Sequence, residues 1–424
     1  MGLKVLLINP NRMQNPPVIP IGLEYLATAL EKHGHDVNIL DLCFTSSPIK
    51  TLDKTFKDEK FDIAGFSIRN IDSCIYFNNE FYLSEFKKLI NCVKNHNIPV
   101  ILGGAGFSAM PNDILEYLQA DYGIIGPGEN LLPRFLELWQ AEQLENKIFN
   151  GWNFGLDDTL IHKRAIKIKY QQYMINEGII GFSTHTGCQN QCPYCIEANT
   201  KVSFKKIANV LEEIEYLVKL GYTHFHLCDS EFNSDLNYSI EFCESLAKKS
   251  LYLNDFKWTL YMKPFPYSER LFQLLHESNA YLITLSVDSD RRTQTLNNYS
   301  YIDLAKIIDF CNKYNIELAI DMLTGYPYET IDSTKKMLDF FQKNRPKTVG
   351  ISFYYRIYKN TALEKLIRND PELQKLLTRE YSEEDNYLEP VFFSQYIQED
   401  LEELINDDEL FRIAGIIPGV NYQI

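Results

Sequence analysis

Three of the nine cysteines in this chain, Cys188, Cys192 and Cys195, fall within one short stretch, GFSTHTGCQNQCPYCIEAN. The gaps between them are three residues and then two. Three thiolates in one loop can each ligate an iron of a 4Fe–4S cubane, leaving the fourth iron open to a substrate or cofactor. Zinc is the competing reading. Structural zinc takes four ligands, usually from two paired knuckles, yet no second cysteine pair follows, and His185 stands on the other side of Gly187. The remaining cysteines, Cys43, Cys74, Cys92, Cys228, Cys243 and Cys311, lie in or beside apolar runs and read as small buried hydrophobes. An odd cysteine count in a chain without a signal peptide does not describe a disulfide framework.

The elements that must position this loop alternate along the chain. Strands are expected at 4–9, 36–42, 62–68, 100–103 and 122–126. Helices are expected at 21–33, 81–94, 113–118 and 130–143, the first with Leu23, Leu26, Ala27 and Leu30 on one face. Such alternation means a doubly wound parallel sheet, assigned to residues 1–145. Residues 146–177 read as a linker. A second alternation starts at 179, with strands expected at 179–183, 224–227, 257–261, 282–287, 317–323 and 348–353. Six βα units make a partial, open barrel over 178–365, whose chemistry belongs at the C-terminal strand ends. The cysteine loop follows the first of these strands. Residues 366–424, rich in Glu and Asp, read as a mostly helical cap. The fold class is therefore α/β, a Rossmann-like domain followed by a partial barrel.

Composition narrows the partners. A net charge of −15 argues against a nucleic-acid backbone. No run of residues has the apolar length of a membrane span, and the short apolar N-terminus reads as a first strand rather than a signal peptide, so a cytoplasmic location is expected. Doubly wound sheets bind ligands at their C-terminal strand ends. That rule selects the loop at 9–19, the loop with Ser67, Arg69 and Asn70, the loop with Gly103, Gly104 and Gly106, and the loop with Gly126, Gly128 and Glu129. No GxGxxG follows the first strand, so a dinucleotide is not expected.

The CxxxCxxC spacing, with Tyr194 before the last cysteine, resembles the signature of the radical S-adenosylmethionine (SAM) superfamily. The resemblance implies that the open iron binds SAM and that one electron cleaves it to a 5′-deoxyadenosyl radical. It implies an external electron donor such as flavodoxin or ferredoxin. CDSEFN then supplies Asp229, Ser230 and Glu231 for the SAM amine, SVDS supplies Ser286 and Asp288 for the ribose, and TGYPYET lies near the adenine. Tyr355, Arg356 and Tyr358 match an RxYxxT pattern ending at Thr361 and are the candidate catalytic residues.

The first domain is similar to the cobalamin-binding domain fused to one large radical SAM class. PPVIPIGLEYLATALEKHGHDVNILD, FDIAGFSIRN, ILGGAG and ADYGIIGPGE carry that similarity, with Ser67 at the SxL element and Gly103–Gly104 at the GG element. The DxHxxG loop that gives a histidine to cobalt elsewhere is missing. His33 and His35, at the end of the first helix, do not replace it. The resemblance implies a methyltransferase that passes a methyl group from SAM, via methylcobalamin, to an unactivated carbon of a small-molecule substrate. The alternatives are an oxidative ring-contraction or cyclisation enzyme with the same cofactors, and a cofactor-binding sensor without turnover.

Overall fold

The computed structural model describes residues 2–156, 160–250, 255–405 and 408–416. The described chain divides into two compact units. The first comprises Met1–Ser73, Glu80–Thr186 and Ser203–Gly221, the second Cys74–Asn79, Gly187–Val202 and Tyr222–Ile424.

In the first unit, strands β1 (Lys4–Asn9), β2 (Asp36–Asp41), β3 (Ile63–Ser67), β4 (Val100–Gly103), β5 (Tyr122–Ile125) and β6 (Ile148–Asn150) form a sheet in the order β2–β1–β3–β4–β5–β6. Every pairing is parallel. Helix Ile21–Lys32 buries Leu23, Ala27 and Leu30 in one core with Val5 and Leu7 of β1 and Phe135 of helix Leu131–Gln140. Helix Pro48–Asp58 escapes the sequence reading because only Leu52 and Phe56, one turn apart, are buried on it. The boundary expected at residue 145 falls before β6. The stretch read as a linker contributes to this unit β6, helix Tyr170–Ile175 and a buried arginine.

That arginine, Arg164, has a fully buried side chain between two buried carboxylates. Its Nε lies 2.7 Å from Glu24 Oε2, one Nη donates to Glu213, and the other donates to the Gly181 carbonyl at 3.0 Å. Tyr170 donates to Glu24, and Tyr25 donates to Glu213 at 3.0 Å. Burial works against the guanidinium charge, but Tyr170, Glu213, Tyr25 and Glu24 hold its pKa well above the ordinary value. The network joins three segments distant in sequence.

Strands β7 (Ile180–Phe182), β8 (His185–Thr186) and β9 (Ser203–Phe204) complete the first unit, β8 and β9 as an antiparallel pair. In the second unit, β10 (His224–Leu227), β11 (Lys257–Met262), β12 (Ala280–Asp288), β13 (Glu317–Leu323) and β14 (Thr348–Ser352) run parallel, neighbour to neighbour, with helices between them. Past residue 366 the chain is not simply a helical cap. Strand β15 (Tyr355–Arg356) pairs antiparallel with β16 (Phe392–Phe393), and β17 (Phe411–Ile413) pairs parallel with β14 at the edge of the barrel sheet. Two- and three-residue strands carry no periodicity of their own, and the acidic residues around them mask the apolar ones.

Removing Arg164 takes from the buried carboxylates of Glu24 and Glu213 the guanidinium they share. Arg164→Ala is expected to destabilise the first unit by about 3–5 kcal/mol, read as an earlier unfolding midpoint in urea. An unchanged midpoint contradicts this account of the network.

Candidate active site

The cysteine loop starts from a narrow neck. Gly187 has φ +87°, and a Cβ there would lie 2.2 Å from the Lys201 carbonyl, so the two arms approach closer than any side chain allows. Thr200 closes the loop twice: its Oγ1 accepts from the Cys188 amide at 2.8 Å, and its amide donates to the Cys188 carbonyl at 3.0 Å. Tyr194, the aromatic residue before the last cysteine, donates to Asp288 Oδ1 at 2.9 Å, tying the loop to the end of β12. Asn297 accepts from the Gln191 amide at 3.3 Å and donates to Cys192 Sγ at 3.5 Å.

Cys188 is buried and Cys192 and Cys195 are half-buried. Burial raises all three thiol pKa values, that of Cys195 to about 11, and the Cys195 thiol feels Cys188 while Cys192 feels Cys195. Thiols pushed up by desolvation need positive charge nearby to ionise, which iron supplies. Among the described residues, no three His, Cys, Asp or Glu side chains gather round one ion. A cubane has a different requirement, one thiolate per iron. The donor set fits a cubane.

The polar groups beside the loop lie at strand ends. Ser230 donates to Glu197 Oε2 at 2.6 Å, and Asp229 is buried. Glu231 is buried with Oε2 lacking any hydrogen-bond partner, and burial first, then Asp321 and Asp288 against the opposing pull of Lys263 and Ser286, lifts its pKa to about 8. Asp288 is buried too, its pKa raised to about 7 by desolvation. An orphan carboxylate oxygen buried next to a cluster loop suits an ammonium group. In TGYPYET, Glu329 accepts from the Gly325 amide at 2.7 Å and the Tyr326 amide at 3.2 Å, so it braces the turn.

The residues expected to be catalytic have other occupations. Tyr355 is buried against Tyr194 and Tyr326, its hydroxyl without a partner. Arg356 donates to the Ile357 carbonyl and, at 3.1 Å, to the Leu388 carbonyl, and lies over the Tyr358 ring. Tyr358 Oη lies 3.1 Å from Cys74 Sγ. Thr361 caps helix Ala362–Arg368 through the Glu364 amide. The sequence reading missed Asn297, Glu197 and Lys263, whose Nζ donates to Asn190 Oδ1 at 3.0 Å. Asn297 and Lys263 stand outside any motif, and Glu197, two residues past Cys195 in the cysteine stretch, is not one of the spaced thiols, so no local signal marks them.

In the first unit a cleft with about 440 Å³ of empty space, part of it open to solvent, lies above the sheet. Leu7, Leu23, Leu26, Ile101, Ile124 and Leu132 make its walls apolar, and Ser67, Gly103, Gly104, Gly126 and Gly128 line it. At Gly103 a Cβ would meet nothing nearer than 3.9 Å, so it would project into the space; at Gly104, φ +97° and the Ile68 carbonyl at 2.6 Å exclude one. Of the other expected residues, Arg69 is exposed, Asn70 is half-buried, and Gly106 donates its amide to the Arg69 carbonyl at 2.9 Å. Glu129 is buried. None of these four lines the cleft. An apolar slot floored by glycine fits the flat nucleotide base of a cobalamin tail.

Residues 15–136 match the B12 binding domain and residues 182–341 match the radical SAM superfamily. With both domains present in this order, the chain belongs to the radical SAM enzymes that carry a cobalamin-binding domain. It is 22% identical over 442 residues to tryptophan 2-C-methyltransferase of Streptomyces laurentii, covering 85% of this chain and 74% of the relative. To cytidylyl-2-hydroxyethylphosphonate methyltransferase of Streptomyces wedmorensis it is 22% identical over 361 residues, covering 68% and 65%. Among solved structures it resembles the radical SAM methyltransferase TsrM of Kitasatospora setae, with cobalamin and a [4Fe-4S] cluster bound, at TM-score 0.88 and 22% identity, covering 99% of this chain and 94% of that one. The cobalamin-dependent SAM radical enzyme OxsB follows at TM-score 0.73 and 14% identity, covering 96% and 66%. The doubly wound domain and barrel expected from the sequence are thus shared with these folds.

Two predictions follow from this geometry. Gly103→Leu fills the cleft and is expected to cut retained cobalamin by at least about tenfold while bound iron stays constant; equal cobalamin retention on gel filtration counts against the cleft as its site. Asn297→Ala removes a donor to a cluster thiolate and is expected to move the cluster's midpoint potential to more negative values, followed by EPR-monitored titration. An unmoved potential removes Asn297 from the cluster's surroundings.

Proposed function

We propose that the chain is a cobalamin-dependent radical SAM methyltransferase that moves a methyl group from SAM to a carbon of a small-molecule substrate. The observation that carries this reading is the pairing, in one chain, of a three-thiol loop beside orphan and buried carboxylates with an apolar cleft floored by Gly103. The cluster and SAM supply radical chemistry, and cobalamin supplies a methyl carrier. The methyltransferase names of two relatives support the same choice.

Each residue then has a task. Cys188, Cys192 and Cys195 hold three irons. Glu231, with Asp229 and Ser230, takes the SAM ammonium on its unpartnered oxygen. Ser286 and Asp288 face the ribose, and Tyr194 fixes Asp288 through its hydroxyl. Ser67, Gly103, Gly104, Gly126 and Gly128 line the cobalamin tail, with Arg69, Asn70, Gly106 and Glu129 shaping the loops around it. Tyr355 and Arg356 position the strand end by packing and backbone contacts, leaving Tyr358 as the member of the expected catalytic trio nearest an exposed surface. In this reading residues 1–145 carry cobalamin and 178–365 carry the cluster and SAM. The enzyme works in the cytoplasm and draws electrons from flavodoxin or ferredoxin. A net charge of −15 supports the absence of a nucleic-acid partner. Among the described residues, no helix is long and apolar enough to cross a membrane.

The test uses SAM labelled in its methyl group with anaerobically reconstituted protein, a one-electron donor and a panel of small aromatic and heterocyclic substrates. Label is expected in a product heavier by one methylene. Products lighter by two hydrogens, with no label, contradict methyl transfer and favour oxidative cyclisation.

A further inference from the structure

The cysteine loop reaches the surface beside a short helix. Helix Arg291–Leu296 follows β12, and the residue after it, Asn297, donates to Cys192 Sγ at 3.5 Å. Leu296, the last residue of the helix, is 47% exposed. On the loop itself Gln191 is exposed, and its amide donates to Asn297 Oδ1 at 3.3 Å. One exposed side chain on each element is thus followed directly by a residue that touches, or is, a cluster thiol. The loop is covered on another flank: Pro193 is buried, and its carbonyl accepts from the Leu363 amide at 2.9 Å. Helix and loop both belong to the second unit.

The charge of this surface runs against that of the chain. Acidic residues number 57 in 424, and the net charge is −15. Neither 187–196, in the cysteine loop, nor 291–302, from the helix onward, contains an aspartate or a glutamate. Arg291 and Arg292 are the charged residues of the two stretches, and both are exposed. Arg292 pairs with Asp290 at 2.9 Å, but the carboxylate side chain is buried while that of the arginine is 51% exposed, so solvent meets the cation. Arg292 also donates to the Pro327 carbonyl at 2.5 Å and lies over the Tyr326 ring. These contacts bring the TGYPYET turn alongside, where Tyr328 is 52% exposed. Leu296 and Tyr328 supply apolar contact area beside two arginines. Aromatic residues and arginine are the types enriched where proteins meet.

We propose that this face is the docking surface for the enzyme's reductant, an acidic one-electron carrier protein of the flavodoxin kind. Electron tunnelling falls steeply with distance, so the carrier must dock where the cluster lies close to the surface. Gln191 and Leu296 mark such a place. Attraction between the carrier's carboxylates and Arg291 and Arg292 speeds the encounter. Elsewhere the acidic surface of the chain repels the same partner and so favours this face. In the docked pair one electron leaves the carrier's anionic flavin hydroquinone, which becomes the neutral semiquinone. The cluster passes from its oxidised to its reduced state, and no proton moves. Asn297, hydrogen-bonded to Cys192, lies between the helix and the thiol. The inference rests on the reading that the loop holds a reducible cluster, and it adds where the electrons enter.

The experiment is stopped-flow reduction of the anaerobically reconstituted full chain by flavodoxin hydroquinone. Flavin absorbance gives the rate, and EPR counts the reduced cluster. The second-order rate constant of the unsubstituted chain is expected to fall as salt rises. Arg291→Glu and Leu296→Glu are each expected to lower it at least about tenfold. Lys50, exposed in the first unit, is the control, because Lys50→Glu changes net charge as much as Arg291→Glu does. That variant is expected to change the rate constant by less than about threefold. Reduced methyl viologen, a small cation, needs no docking face and is repelled by arginine. It is expected to reduce the cluster of every variant at least as fast as that of the unsubstituted chain, which misfolding of the loop would prevent. The inference is overturned if flavodoxin does not reduce the cluster or if Lys50→Glu slows it as much as Arg291→Glu. It is also overturned if viologen reduction slows in step with flavodoxin reduction in both variants. Unchanged flavodoxin rates in Arg291→Glu and Leu296→Glu refute this face and leave the methyltransferase reading intact, whereas a chain that assembles no reducible cluster overturns both.

Discussion

Buried thiols set the terms for the rest of the second unit. Desolvation holds Cys188, Cys192 and Cys195 in the protonated form unless a cation lies beside them. The loop that carries them must also stay rigid enough to meet three irons at once. Its rigidity comes from four devices: the neck at Gly187, the double closure by Thr200, the Tyr194–Asp288 hydrogen bond and the Asn297 bridge. Two of these, Asp288 and Asn297, belong to β12 or the chain just after it. The geometry of the cluster site is therefore set by where that strand ends.

The same strand ends carry the remaining polar groups, and here the sheet's one-sided character matters. Apolar side chains on one face give β11 to β14 their packing against the helices. The other face is released from that duty, so Ser286, Asp321 and Arg412 can remain polar without orphaning a core position. Glu231, buried without a hydrogen-bond partner for Oε2, departs from ordinary packing rules. An unpartnered buried oxygen is costly in a resting protein, and a bound ammonium would offset that cost. In the first unit the cost is met differently: Arg164 and its two glutamates satisfy one another internally, and the cleft above the sheet stays apolar.

What the sequence reveals depends on how local each signal is. The cysteine loop, the β1 to β5 strands and the long barrel strands are legible because spacing and alternation act over a few residues. Strands β6 and β17 are three residues each, too short for a period to show. Arg164 reads as part of a linker, because one partner that buries it, Glu24, is 140 residues away in sequence. The RxYxxT pattern was legible as a motif, but its arginine spends its donors on the Ile357 and Leu388 carbonyls, a contact that only the folded C-terminal segment creates. The pairing of β17 with β14 is likewise invisible in one dimension, since the two strands lie far apart along the chain.

The central claim is that this loop holds a cubane with one iron unlike the other three. A Mössbauer spectrum of protein reconstituted anaerobically with iron-57 and sulfide, recorded with SAM present, tests it directly. The account predicts one 4Fe–4S cluster per chain whose spectrum resolves three similar irons and a distinct fourth. A two-iron cluster, four equivalent irons, or a protein that binds zinc in preference and takes up no sulfide would contradict it.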